Sequence, residues 1–315
     1  GYKNAVTPNI DALARRGVLF EKAISPVPLT LPAHCTIFTG TLPDYHNVRN
    51  NGRYRLPGSI DTLAEILRAR GYKTAAFISS FTVDSRFGLD QGFETYNDNL
   101  DIQRGQVKTY YSERSAADVF AVFSEWCDNH LKNNNQKFFA WVHFFDPHMP
   151  YAPPEPYKSR FRDNPYDGEI AYMDHYVGET IALLKRFSRL EDTLVVVAGD
   201  HGEAFGEHGE MGHMMFCYGE NIDIPLIFYY PGGLPENKRI PHRAGLIDIF
   251  PTVLDFLRIP IASNLDGVSL LPVINGKEPP NRRFYFESYF AKEALGCAPV
   301  RGIIGNGPAK TTGDY

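Results

Sequence analysis

The stretch Leu194-Val195-Val196-Val197-Ala198 constrains this chain most. It is apolar throughout, rich in β-branched residues and without alternation, and Gly199 ends it. That is too short for a buried helix and reads as a strand covered on both faces. Before it, from Ile170 onward, Met173, Val177, Ile181 and Leu184 recur at helical spacing. The same pairing recurs along the chain. Ile60, Leu63, Ile66 and Leu67 predict a helix over 60–70, closed by Gly71, and Thr74-Ala75-Ala76-Phe77-Ile78 predicts a strand after it. A second amphipathic helix is expected over 119–131, followed by the apolar run Phe138-Phe139-Ala140-Trp141-Val142. A strand is expected over 225–229 and a helix over 246–257. Strands alternating with helices imply an α/β fold with a mostly parallel central sheet flanked by helices on both faces. In that architecture ligands gather beyond the carboxyl ends of the strands.

At 315 residues the chain suits one large α/β domain or two smaller ones. Lys and Arg number 32 against 37 Asp and Glu, a balance of −5 that argues against nucleic acid or an anionic membrane as the main partner. No apolar run is long enough to span a bilayer. The four cysteines, Cys35, Cys127, Cys217 and Cys297, are widely spaced, so neither a disulfide framework nor a zinc knuckle is indicated. The compartment stays open; a periplasmic or extracellular setting would require a signal upstream of this chain.

Four clusters carry chemistry. Gly199-Asp200-His201-Gly202-Glu203 follows the Val-rich strand and offers a carboxylate and an imidazole on one tight turn, suited to a divalent metal. Alone, such a turn is more often an Asp–His hydrogen bond in a polar loop. His143-Phe144-Phe145-Asp146-Pro147-His148-Met149-Pro150-Tyr151 follows another expected strand; His143 is equally readable as a satisfied core histidine, whereas His148 is harder to explain by packing. His208-Gly209-Glu210-Met211-Gly212-His213 makes His213 a candidate for an anion pocket and His208 a weaker one. Finally, Thr30-Leu31-Pro32-Ala33-His34-Cys35-Thr36-Ile37-Phe38-Thr39-Gly40 places a hydroxyl where a helix begins. There it is poised as a nucleophile toward an anionic ester, with the helix N-terminus favouring the charge that develops. The plainer reading of Thr30 is an N-cap. At the start of the chain, Thr7-Pro8-Asn9-Ile10-Asp11 reads as a helix capped by Thr7, with Pro8 in its first turn.

Taken in order, these motifs resemble the sulfatase-type branch of the alkaline phosphatase superfamily. The resemblance runs from Thr7 to Asp11, through Thr30 to Gly40, His143 to Tyr151 and Gly199 to Gly209, and ends near Arg283 to Tyr289. It implies a catalytic domain over 1–290, with 291–315 unassigned. It implies a divalent ion (Ca, Mn, Zn or Mg) held by Asp200, His201, Thr30 and Asp146, and a small anionic ester as substrate. It implies Thr30 as nucleophile, with His148 and His213 catalytic, and His34, Asn50, Asn51, His148 and His213 gripping the ester.

This sequence departs from the family pattern in two places. Where sulfatases carry Cys or Ser in Cys/Ser-x-Pro-x-Arg, matured to formylglycine, this chain has Thr30-Leu31-Pro32-Ala33-His34. Threonine keeps a methyl group on Cβ and does not give that aldehyde, and Thr at this position is typical of phosphodiesterase and phosphoethanolamine-transferase branches. Phosphoryl chemistry is therefore expected over sulfuryl chemistry. Cys297-Ala298-Pro299-Val300-Arg301 matches the sulfatase pattern letter for letter, but no Thr-Gly helix follows it. The family's first strand, which ends in metal-binding Asp, precedes the Thr-Pro-Asn helix, and this chain starts after that point. Metal-dependent hydrolysis of phosphate or sulfate esters is the expected function. A phosphoryl transferase and an inactive, truncated binding module are the alternatives.

Overall fold

The structure is a computed structural model that describes residues 4–100, 112–132, 135–261 and 265–305. Its strands are β1 (Val18–Ile24), β2 (Lys73–Phe77), β3 (Thr95–Asn97), β4 (Phe138–Val142), β5 (Val195–Ala198), β6 (Ala204–Phe205), β7 (Met211–Gly212), β8 (Asp223–Tyr229), β9 (Lys238–Gly245), β10 (Arg283–Ser288) and β11 (Val300–Gly305). They form a four-stranded sheet in the order β5-β8-β1-β9, a three-stranded sheet β3-β2-β4 and two ribbons, β6-β7 and β10-β11. β2 is parallel to both β3 and β4, whereas both ribbons are antiparallel. The fold is thus α/β with a parallel sheet present, but its sheets are mixed and not one mostly parallel sheet. Residues of β5 are half-buried, not covered on both faces as their lack of alternation suggested.

The chain divides into two compact units, the first comprising 1–19, 51–197 and 227–238, the second 20–50, 198–226 and 239–315. In the first, helices Ala116–His130 and Pro165–Arg186 share a core with β2: Phe77 meets Phe123 edge-on at 5.3 Å and Trp126 at 6.0 Å, and Leu183 and Leu184 are buried in the same cluster. Caps define where these helices start. Ser115 and Asp118 form a capping box before Ala116, and the Asn164 side chain accepts from Asp167 N with Pro165 in the first turn. The expected helix over 60–70 is shorter, Leu63–Arg68, because the Thr62–Glu65 capping box sets its first residue.

Helix Pro8–Arg16 corrects a local expectation. Thr7 occupies the N-cap position but its side chain makes no capping bond. The buried Asp174 carboxylate takes that place, accepting Asn9 N at 3.1 Å and Ile10 N at 2.8 Å. Gly17 after the helix is required by close approach, since a Cβ there would lie 2.4 Å from Phe228 O.

The second unit holds helix Thr30–Thr39, buried along nearly its whole length. Gly40 ends it in the left-handed conformation (φ 65°), with Phe250 packed where a Cβ would sit. The expected helix over 246–257 is a 3-10 turn Leu246–Asp248 followed by helix Ile249–Phe256. The buried Asp248 carboxylate accepts Gly245 N and Val268 N and pairs with Arg282. Beyond residue 290 the described chain is ordered: helix Phe290–Leu295 leads to β11, which pairs with β10. Among the described residues, no helix is long and apolar enough to cross a membrane.

Candidate active site

Helix Thr30–Thr39 begins with Thr30 itself, and Leu29 is its N-cap residue without a side-chain capping bond. The N-cap reading of Thr30 is therefore overturned. Its buried hydroxyl lies 3.3 Å from His201 Nε2 instead. His201 Nδ1 donates to Gly202 O at 2.9 Å, because a carbonyl can only accept. In the neutral ring this leaves the lone pair on Nε2, directed at the Thr30 hydroxyl. Burial holds the His201 imidazole below its usual range, favouring the neutral form; the nearby Asp200 carboxylate opposes that shift.

Asp200 completes the group. Its Oδ1 accepts His201 N at 3.0 Å, and its Oδ2 lies 3.5 Å from His201 Nε2 and 3.8 Å from His34 Nδ1. His34, one turn along the helix from Thr30, donates through Nδ1 to Thr30 O at 2.8 Å, and burial lowers its pKa as well. His213 packs its ring on His201 with centroids 4.1 Å apart, and its Nδ1 donates to Glu203 Oε2 at 3.2 Å. Three imidazoles thus each engage an oxygen acceptor through Nδ1.

A short hairpin sets the His213 geometry. In the β6-β7 ribbon Ala204 pairs with Gly212 and Phe205 with Met211, so Glu203 and His213 face each other just beyond the ladder. Gly206 N donates to Glu210 O at 2.8 Å to close the turn. The chain leaves the hairpin through Met214 in a left-handed conformation (φ 104°), whose carbonyl accepts the Ser288 hydroxyl from β10. A non-glycine residue held there stores strain, as functional loops often do.

Of the residues singled out in the sequence, Thr30, His34, Asp200, His201 and His213 come together in this unit. Asn50 lies in the same unit, and its Nδ2 donates to Glu293 Oε2 at 2.8 Å. Asn51, Asp146 and His148 belong to the other unit. There, Asp146 Oδ2 accepts Ala116 N at 3.0 Å at the start of a helix, and its pKa is pushed up to about 6, chiefly by burial. His148 stacks on Phe145 at 3.9 Å, and its backbone N–H donates to Glu169. His143 is the satisfied core histidine, with Nδ1 3.0 Å from Ser79 Oγ. His208 stacks on Tyr218 and pairs with Glu220, so it takes no part in the group. Glu203 was not assigned a role from sequence; the glycine spacing of Gly206, Gly209 and Gly212 is the signal that folds it back onto His213.

Could these residues hold a divalent ion? Among the described residues, no group of three or more His, Cys, Asp or Glu side chains has that geometry. Asp200 and His201 nevertheless fit as two ligands of a set. They supply a carboxylate oxygen and a neutral imidazole whose other nitrogen is fixed by a carbonyl, the usual arrangement of a metal-binding histidine. Cys297, exposed and preceded by the end of helix Phe290–Leu295, is not at a helix N-terminus.

A family model described as Sulfatase matches residues 1–259. Among curated relatives, the chain is 24% identical to a Delta 4,5-hexuronate-2-O-sulfatase of Bacteroides thetaiotaomicron, over 93% of this chain and 72% of that protein. It is 25% identical to a choline-sulfatase of Rhizobium meliloti, over 86% of this chain and 67% of that protein. Among solved structures, the phosphonate monoester hydrolase of Agrobacterium radiobacter superposes with a TM-score of 0.78 at 22% identity, covering 96% of this chain and 82% of that one. At that identity the likeness concerns the fold.

Proposed function

The chain belongs to the sulfatase family of ester hydrolases, and from that premise we propose that it is a metal-dependent hydrolase of phosphate or sulfate esters with Thr30 as nucleophile. One observation carries the reading. The Thr30 hydroxyl sits in the first turn of a buried helix and 3.3 Å from a neutral imidazole nitrogen, His201 Nε2. A hydroxyl so placed can attack an anionic ester whose oxygens face the helix N-terminus. Thr30 Oγ1 then forms the bond to phosphorus or sulfur as the bond to the ester oxygen breaks, and the Thr30 proton ends on the departing oxygen. Water later releases the covalent intermediate.

Asp200 and His201 are the residues that would hold the ion. Bound there, a divalent cation supplies charge neutralisation for the ester oxygens and lowers the pKa of a hydroxyl beside it. His201 Nε2 has one lone pair, so the Thr30 proton and an ion compete for the same atom. His34, Asn50 and His213 grip the ester oxygens in this reading. Because Thr30 carries a methyl group on Cβ, it acts as an alcohol and not as an aldehyde hydrate, which favours phosphoryl transfer.

Assaying nitrophenyl phosphate, a phosphodiester and nitrophenyl sulfate side by side, before and after chelation, tests this. Turnover that is lost with a chelator, returns with a divalent ion and is faster on the phosphorus esters is expected. Undiminished activity in the chelator would overturn metal dependence, and a clear preference for sulfate would overturn the phosphoryl assignment.

A further inference from the structure

We infer that Glu203 is a positioning residue for this reaction, holding the His213 ring so that Nε2 faces the ester. The inference rests on the functional reading above in so far as His213 touches substrate. Glu203 and His213 face each other beyond the Ala204–Gly212 pair, with Glu203 Oε2 3.2 Å from His213 Nδ1 and side-chain exposures of only 7% and 8%. A carboxylate accepts and never donates, so Nδ1 carries the hydrogen and the opposite nitrogen, Nε2, is turned away from Glu203. The ring is further confined by its packing on His201 at 4.1 Å. The imidazole is thereby held on one face by a ring and at one edge by a carboxylate.

The second carboxylate oxygen argues that packing is not what keeps Glu203 there. Glu203 Oε1 is buried without a hydrogen-bond partner among the described residues. A buried carboxylate satisfied on one oxygen alone is costly for stability, and an apolar side chain of like volume would fold more favourably. The hairpin also makes room for it. Gly212, at φ 87°, would carry its Cβ 3.3 Å from Glu203 Oε1, so a side chain there would crowd the carboxylate. Glu203 touches no reacting atom in this arrangement, and its hydrogen bond goes to His213.

The test compares Glu203→Ala, Glu203→Gln, His213→Ala and the double variant Glu203→Ala/His213→Ala on nitrophenyl phosphate, with thermal melting to confirm folding. Loss of an oxygen that orients a functional histidine is expected to lower kcat/KM by about 10- to 100-fold in Glu203→Ala. Glu203→Gln keeps a carbonyl oxygen to accept from Nδ1 and should recover most of that loss. The double variant should be no slower than His213→Ala, because Glu203 has nothing left to orient. Fully additive losses, or a Gln variant as slow as the Ala variant, would overturn the inference. Long-range ¹H–¹⁵N spectra at alkaline pH give an answer that needs no turnover. His213 should carry its proton on Nδ1 in the wild type and lose that preference in Glu203→Ala. A wild-type ring protonated on Nε2 would refute the Glu203 assignment even in an active enzyme. Conversely, wild-type protein that turns over no ester, with the Nδ1 proton present, would sink the hydrolase reading and leave the Glu203–His213 pair standing.

Discussion

Two loops of similar composition leave two strands of this chain: His143 to His148 after β4, and Asp200 to His213 after β5. Each mixes histidine with a carboxylate, and each reads in the sequence as a ligand cluster. They differ in what their polar atoms meet. In the first, the partners belong to the scaffold: Ser79 for His143, the Ala116 N–H for Asp146, and Glu169 for the His148 backbone. In the second, the side chains meet one another, with His201 3.3 Å from Thr30, 3.5 Å from Asp200 and its ring tilted against that of His213. A count of histidines and aspartates does not tell these two surroundings apart. What separates them is that the second group brings His201 against the Thr30, Asp200 and His213 side chains, whereas the first is bonded to Ser79, Ala116 and Glu169 of other elements.

The most forceful way to break this contrast is at Thr30. Thr30→Ala removes the proposed nucleophile and is expected to lower kcat by three or more decades, at about 1.4 kcal/mol each. Because its hydroxyl does not cap the helix, stability should fall by only about 1 kcal/mol, the usual worth of one hydrogen bond. A melting temperature that collapses together with activity would return Thr30 to a structural role.

Asp146 is the corresponding probe in the other loop. Asp146→Ala deletes the acceptor for Ala116 N and should cost about 1.5–3 kcal/mol of stability, read by urea unfolding. If metal titration showed weakened binding as well, Asp146 would count with Asp200 and His201 among the proposed ligands and the contrast would narrow.

A smaller effect distinguishes the loops by pH. Burial, with help from the Asp146 and Glu113 charges, pushes the Glu169 carboxyl up to about 7 from its ordinary 4.5, against the pull of the Ala152 and His148 N–H groups. The folded state therefore holds this proton more tightly than the unfolded chain. Its contribution is fully present below about pH 4.5 and is lost as pH rises through 7. Unfolding midpoints for Glu169→Gln on either side of that window should show a flatter pH dependence than the wild type. An unchanged slope would mean that another group carries it.

The smallest effect is expected at Cys297. Cys297→Ala should leave turnover within a few-fold, since the thiol is exposed beyond the end of a helix. If it abolished activity while Thr30→Ala did not, the centre would lie elsewhere.

Much of the secondary structure was legible because its signals are local. β4 covers the residues of the apolar run 138–142, and the helical stripe from Ile170 falls in helix Pro165–Arg186. Strands β9, β10 and β11 carried no such signal: β9 contains Lys238, Arg239, Pro241, His242 and Arg243, and β11 alternates half-buried and exposed positions. β9 lies beside β1, remote in sequence, whereas β10 and β11 pair with each other across the helix Phe290–Leu295 that joins them. The same limit misplaced the cap of the first helix, where Asp174 does what Thr7 was expected to do.

By itself, the sequence determined the α/β class, the family and the short list of side chains able to do chemistry, because strand runs, helical stripes and ordered motifs are written in neighbouring residues. Tertiary structure alone decided which of those side chains meet. Thr30 and His201 are 171 positions apart in the chain and 3.3 Å apart in space. Tautomers, likewise, were set by carbonyls of Thr30 and Gly202 and by the Glu203 carboxylate. A hydrogen bond is a relation of distance and direction between two atoms. Sequence lists the atoms, and only the folded backbone brings them within reach.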